Sequence, residues 1–309
     1  MGRLEVIGLI VLWAAAQFYY ARSAIQTGDI LAGASFLWML TALGRRLFGE
    51  GRSRPPAGFA IAFLSLLLAL GTSVSWAAGW SYVSPEMDHF HRLLAYQGFL
   101  LLPLLGVGRY LFPRISGDAA GGKSVSGKRR SAVVWTTAVL LLVSFAIEAF
   151  LSARWGNFLR IGAVVAWLIG ALPDLCRGRA RSTRHWALRT GIVLILLAFF
   201  CRAIWPHEVF AFEHILFLGG FSQVMLLVGD RVLLGHGGDL ESTPDRSPMW
   251  RWIVWLVLLT AATRAVAELV PSTRVSHHIY AAFMLVIALA IWSVRHARRF
   301  LRVPPPPRD

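Results

Sequence analysis

Long apolar runs follow one another through this chain with only short polar breaks. The hydrocarbon core of a bilayer is about 30 Å thick, and a helix crosses it in about 20 residues. Runs of that order lie at 4–20, 30–48, 57–80, 90–111, 132–152, 156–176, 187–205, 212–235, 250–270 and 275–295. Lipid cannot satisfy a bare backbone, so each run must be a helix or a strand of a closed barrel. The runs are continuous, with no in-and-out alternation, which excludes the barrel. Only 15% of residues are charged, against roughly 25% in soluble domains. The sequence therefore predicts an all-α, polytopic transmembrane bundle of about ten helices, one integral membrane domain over 1–309. Pro55 and Pro56, Pro206, Pro244 and Pro248, and Pro271 stand at the breaks, where a missing N–H and a fixed φ end helices.

A net charge of +15 would suggest a nucleic-acid partner for a soluble chain. Here the positive residues sit in short loops between apolar runs, so the partner they imply is the lipid bilayer and not nucleic acid. Numbering the loops alternately, 24 of the 31 Lys and Arg fall on the side of Met1. Cytoplasmic loops collect Lys and Arg, so both termini are expected in the cytoplasm, with a flexible loop at about 112–131 and a short tail at 296–309. Small residues Ala14–Ala16 after Arg3 and an apolar run leave a cleaved signal peptide as the alternative for the first span. Cys176 and Cys201 fall near opposite membrane faces in this topology and cannot pair. There is no CxxC motif or zinc spacing.

The fourth and eighth runs share a pattern. One has His91, then Gly98-Phe99, then Arg109; the other has His214, then Gly220-Phe221, then Arg231. Both run from outside to inside, which fits a parallel duplication. Chance likeness between two leucine-rich helices is the alternative.

Nine histidines occur, and an ionisable group near membrane depth is a functional candidate by default. His89, His91, His207, His214, His277 and His278 fall at one level of the expected outer face; His185, His236 and His296 fall at the inner one. Imidazole binds metals and haem iron, and the absence of CxxCH limits any haem to a non-covalent b-type. Copper also accepts imidazole nitrogen. The plain alternative is histidine resting at the membrane–water interface. Charges occupy the same outer layer: Arg92, Glu148, Arg160, Arg202, Arg264 and Glu268. Arginine grips carboxylates with a planar fork, so Arg92, Arg202 and Arg264 are candidates for haem propionates. Structural pairing, as for Arg264 with Glu268 four residues on, is the equal alternative. Asp230 beside Arg231 reads as structural. Gly98 and Gly220, about two turns below their histidines, are expected to leave room for a porphyrin edge. No nucleophile elbow, P-loop, dinucleotide fingerprint or HExxH motif is present.

Several of these residues resemble the NnrS family. Glu213-His214, Gly219-Gly220-Phe221 and the run from Arg231 to Gly235-His236-Gly237-Gly238 are similar to the family's helix that starts with His and ends in an R-x-x-L-G-H-x-G-like turn. Ala261, Ala262, Arg264 and Ala265, then Trp292 and the proline-rich end at Arg308-Asp309, look like the family as well. His89-Phe-His91 ahead of Gly98-Phe99 is similar to its H-x-H helix opening. Family members are usually longer, and Arg92-Leu93 stands where Glu-Met often follows the H-x-H. The resemblance implies a bacterial inner-membrane protein that contains haem and copper and is associated with denitrification and the response to nitric oxide. The common outer level of the histidines and the possible repeat point to His91, His214 and His278, with His89 and His277, as cofactor residues, and His207 joins them as a metal candidate. A transporter or scaffold without cofactor is the alternative. A haem-copper oxidase-like enzyme is the more distant one, because the His pair His277-His278 follows the H-x-H in chain order where such enzymes carry it first. Enzymatic turnover is left open.

Overall fold

The structure, a computed structural model, describes residues 3–48, 58–80, 83–116, 127–177, 182–236 and 248–301. Every regular element among them is helical. The helices are α1 (Arg3–Ala21), α2 (Ile25–Phe48), α3 (Gly58–Ala77), α4 (Pro85–Arg92), α5 (Phe99–Ile115), α6 (Gly127–Phe150), α7 (Ala153–Ala171), the short α8 (Pro173–Arg177), α9 (Thr183–Ile204), α10 (Val209–His214), α11 (Ser222–His236), α12 (Pro248–Leu269) and α13 (Arg274–Leu301). Two π-helical turns, Leu93–Gly98 and Ile215–Phe221, fuse α4 to α5 and α10 to α11 into continuous rods. Each apolar run of the sequence thus becomes one rod. Eight stretches are long and apolar enough to cross a membrane; α1, whose apolar part is Ile7–Ala21, and α7 lie outside that set. The protein is an all-α, multi-pass membrane bundle.

The rods overrun the apolar runs at their polar ends because local chemistry caps them there. Ser84 Oγ accepts the Met87 N–H at 3.2 Å and Pro85 opens α4. Ser182 Oγ accepts the His185 N–H at 3.0 Å at the head of α9. Each satisfies a backbone donor that a helix start leaves open. The expected loop at 112–131 is shorter than its composition suggests: α5 runs to Ile115 and α6 begins at Gly127, because Leu111-Phe112 and the residues around Ser131 extend the flanking helices. Residues 117–126 and the end of the tail, 302–309, lie outside the described residues.

The chain divides into two compact units, Met1–Arg109 with Ser126–Ala163, and Tyr110–Val125 with Val164–Asp309. In unit 1, α1 packs on α2: Trp13 meets Phe36 edge-on at 5.6 Å and joins a core of Ala32, Phe36, Leu40, Leu66 and Ala69. The Gly58 carbonyl sits so close to Gly106 that a side chain at Gly106 would strike it. In unit 2, the second π turn packs against α9 and α12, and Trp292 of α13 donates its indole N–H to the Leu226 carbonyl at 3.1 Å. Gly229 gives that ring its space. Much of α13 presents exposed apolar side chains, Val275, Phe283 and Val286 among them, the surface a membrane helix offers to lipid.

Candidate functional site

In each unit the outer end is defined by the start of its histidine-bearing rod, α4 in unit 1 and α10 in unit 2. Both rods then break from α to π geometry straight after the histidine segment. His91 is the penultimate residue of α4 and His214 the last of α10. A π turn inserts an extra residue into the helix, commonly at functional positions. The helices that follow also match. Glu148 and Glu268 lie in the last turns of α6 and α12, and each is met by the fifth residue of the next helix, Asn157 of α7 and His278 of α13. The pattern His, Gly-Phe and Arg seen in sequence is therefore one element of a repeated helix order, α3 to α7 and α9 to α13.

At the outer end of unit 1, Arg160 is wholly enclosed and forms the hub of a polar network. Its Nη2 lies 2.8 Å from Glu148 Oε2. Its other nitrogens donate to Gln97 Oε1 at 2.9 Å, Asn157 Oδ1 at 3.1 Å and Ser144 Oγ at 3.2 Å. The guanidinium also stands 4.5 Å over the Phe145 ring, a cation–π contact. Asn157 Nδ2 closes the circuit on Glu148 at 3.1 Å, and His89 Nε2 approaches it at 3.5 Å from the rim. Gly156 makes this possible, since a Cβ there would stand 2.6 Å from Glu148 Cβ and hold α6 and α7 apart. A buried charge in low dielectric must be paired and hydrogen-bonded; Arg160 and Glu148 pair with each other and share most of these bonds, while Gln97 Nε2 in the same network has no hydrogen-bond partner. Sequence reasoning flagged both charges but missed Gln97 and Asn157. Gln97 is in the π turn, so helical spacing does not indicate which way it faces.

Unit 2 arranges its charges differently. Glu268 is approached by Arg274 Nη2 at 3.0 Å, His278 Nε2 at 3.3 Å and Arg264 Nη1 at 3.9 Å. His214 has Arg264, Glu268 and His278 as its electrostatic neighbours. Three buried atoms in this group have no hydrogen-bond partner: His214 Nδ1, Arg264 Nη1 and His278 Nε2, the last close to Glu268 but misaligned for a bond. Such orphaned atoms call for an explanation, a missing water or ligand among them.

The remaining candidates separate by surroundings. His277 Nδ1 lies 3.1 Å from the Thr273 carbonyl of its own first turn and its ring meets Tyr280, so His278, not its neighbour, faces Glu268. His207 is exposed in the turn between α9 and α10. Arg92, with its side chain 60% exposed, pairs with Asp88 at 2.9 Å. Arg202 is buried but already pairs with Glu213 at 2.9 Å. The expectation of porphyrin room at the glycines is corrected. A Cβ at Gly220 would lie 2.5 Å from Ile195 Cγ1, and one at Gly98 3.3 Å from Phe145; both absences serve close packing. Asp230 does not partner Arg231 but Arg184, at 2.9 Å, and His296, at 3.0 Å. His296 and His185, which the sequence puts at the inner face, are both buried. Gly237-Gly238 lie outside the described residues, as does the side chain of His236. No group of three or more His, Cys, Asp or Glu stands ready to hold a metal ion among the described residues.

The family model described as NnrS protein matches residues 1–303. The chain belongs to the NnrS family. The match takes in the first helices, which carried no family motif by inspection, so the resemblance extends well beyond the last third. No curated protein and no solved structure matches this NnrS-family chain.

Proposed function

We propose that this NnrS-family protein is a haem-binding, and also copper-binding, protein of the bacterial inner membrane that takes part in the response to nitric oxide or in denitrification. The observation that carries the reading is the set of orphaned atoms at the outer end of unit 2. Two imidazoles, His214 and His278, and a guanidinium, Arg264, surround one carboxylate with polar atoms left open. That donor chemistry fits a non-covalent b-type haem: imidazole for iron, arginine for a propionate. Bound haem iron would supply a coordination position for a diatomic gas and a store for one electron. In this reading Glu268 holds Arg264 and His278 in place, and Arg274 pairs with the same carboxylate. Copper would fall to histidines nearer the rim, His89 and His91 in unit 1 or His277 in unit 2; no ready group of three ligands stands among the described residues.

The test is the visible spectrum of the protein purified after haem is supplied during expression. The reading expects a Soret band and haem extractable into acid acetone, because no covalent attachment motif exists. A colourless protein after such loading would favour a transporter or scaffold, a reading supported by the closed network of unit 1 and the filled glycine sites.

A further inference from the structure

The inner end of unit 2 carries charges that the outer-end cluster does not use. Asp230, 1% exposed, accepts from Arg184 Nε at 2.9 Å through one oxygen and meets His296 Nε2 at 3.0 Å through the other. His296 is itself enclosed, with Trp292 at 4.8 Å between ring centroids. One oxygen of this carboxylate thus accepts a hydrogen bond, and the other faces the imidazole without forming one. The next residue, Arg231, has Arg114, Arg184 and Asp230 as its charged neighbours. Arg114 belongs to the last turn of α5, Arg184 to the first turn of α9, and Arg231 to the final stretch of α11. Arg231 thus has two guanidiniums from two other helices, and one carboxylate that Arg184 already holds, as its charged neighbours. Neither Arg114 nor Arg231 has a carboxylate ion pair among the described residues. Like charges gathered at a membrane face repel strongly wherever water is scarce, and Asp230 offsets one of the three among the described residues, so the cluster suits a further anion.

We propose that this cluster binds the phosphate of an anionic phospholipid headgroup, with Arg114 and Arg231 as its main ligands and Arg184 beside them. The place decides the source. The membrane-crossing stretches end at Ile115 and Leu234 and begin at Thr183, so the three guanidiniums stand at headgroup level. Planar guanidinium forks suit phosphate oxygens, and basic pockets between helix ends are a recurring headgroup site. Arg184 stays on Asp230 throughout, and Arg114, which is exposed, supplies the accessible side of the cradle.

The test uses the full-length protein, stripped of lipid in neutral detergent, read by native mass spectrometry and thermal unfolding. Phosphatidylglycerol is expected to persist as a bound adduct and to raise the unfolding midpoint by about 3 °C or more. Phosphatidylcholine and inorganic phosphate at equal concentration should do neither. Arg114→Gln with Arg231→Gln should lose most of the shift and the adduct, while Arg231→Lys should keep most of both. Equal stabilisation by phosphatidylcholine, a full shift from inorganic phosphate alone, or an undiminished adduct in the double variant would each overturn the proposal. The last result would mean that the chain's own acids supply the counter-charge. Should the double variant not fold, Arg114→Gln alone carries the same test: a weaker adduct supports the site and an unchanged one overturns it.

Discussion

Glu148 in unit 1 and Glu268 in unit 2 stand at matching places, in the last turn of a helix that follows a histidine-bearing rod, yet their surroundings differ. Three residues beyond Asn157 comes Arg160, whereas three beyond His278 comes Ala281. Four residues before Glu148 is Ser144, whereas four before Glu268 is Arg264. The arginine has in effect changed helices, from α7 in unit 1 to α12 in unit 2. On α7 it reaches inward and binds Gln97, Asn157, Ser144 and Glu148 at once. On α12 it shares a face with its glutamate at i,i+4, 3.9 Å away, and keeps a nitrogen unused. One scaffold thus yields a closed polar core in one unit and an open cluster in the other. The same residue types make many mutual hydrogen bonds in one unit and few in the other, although Gln97 Nε2 in unit 1 also has no hydrogen-bond partner.

The largest expected effect is in the closed unit. Arg160→Ala leaves Glu148 enclosed and uncompensated, a loss of about 3–5 kcal/mol for a broken buried pair. The protein is expected to accumulate poorly and to unfold at much lower temperature. Replacing both partners, Glu148→Leu with Arg160→Leu, should recover much of that loss, because no charge is then stranded. A double variant as unstable as the single one would break the closed-core account. In the open unit the corresponding change should be mild for stability: Arg264→Ala is expected to fold and to bind less haem.

A middle-sized effect is expected from the π turn. Deleting Leu218 restores α geometry and rotates everything above it by about 100°, one residue's share of a helical turn. His214 would swing away from Glu268 and His278. Haem content per folded protein should fall while the apolar packing below persists, as judged by retained helical circular dichroism. Unchanged haem content would show that the turn does not aim His214. The smallest effect is expected at His277, which already uses its own helix's first turn. His277→Ala should alter stability by less than about 0.5 kcal/mol and leave haem content as it was.

The rods were legible because lipid forces every apolar run to close its own hydrogen bonds; that constraint holds run by run and needs no tertiary knowledge. Their ends were less so, since Ser84, Pro85 and Ser182 extend helices into polar sequence through capping. The histidine repeat was visible as spacing, but its meaning was not. The π turns after His91 and His214 shift every later residue around the helix axis, so Gln97 cannot be placed by counting in steps of 3.6. Sequence spacing suggests room at Gly98 and Gly220, and both are contacts, because a missing side chain in sequence does not say what fills the space. Asp230 was paired with its neighbour Arg231 on adjacency, whereas consecutive helical residues point apart, and its partners come from two other helices.

The central claim is that the open cluster of unit 2, and not the closed core of unit 1, receives the cofactor. It is tested most directly by haem content per folded protein, after haem-supplied expression, in His214→Ala and His278→Ala set beside His89→Ala and His91→Ala. The account predicts that either unit 2 substitution removes most of the Soret absorbance while both unit 1 substitutions retain it. Loss of absorbance in the unit 1 variants with retention in His214→Ala and His278→Ala would contradict it.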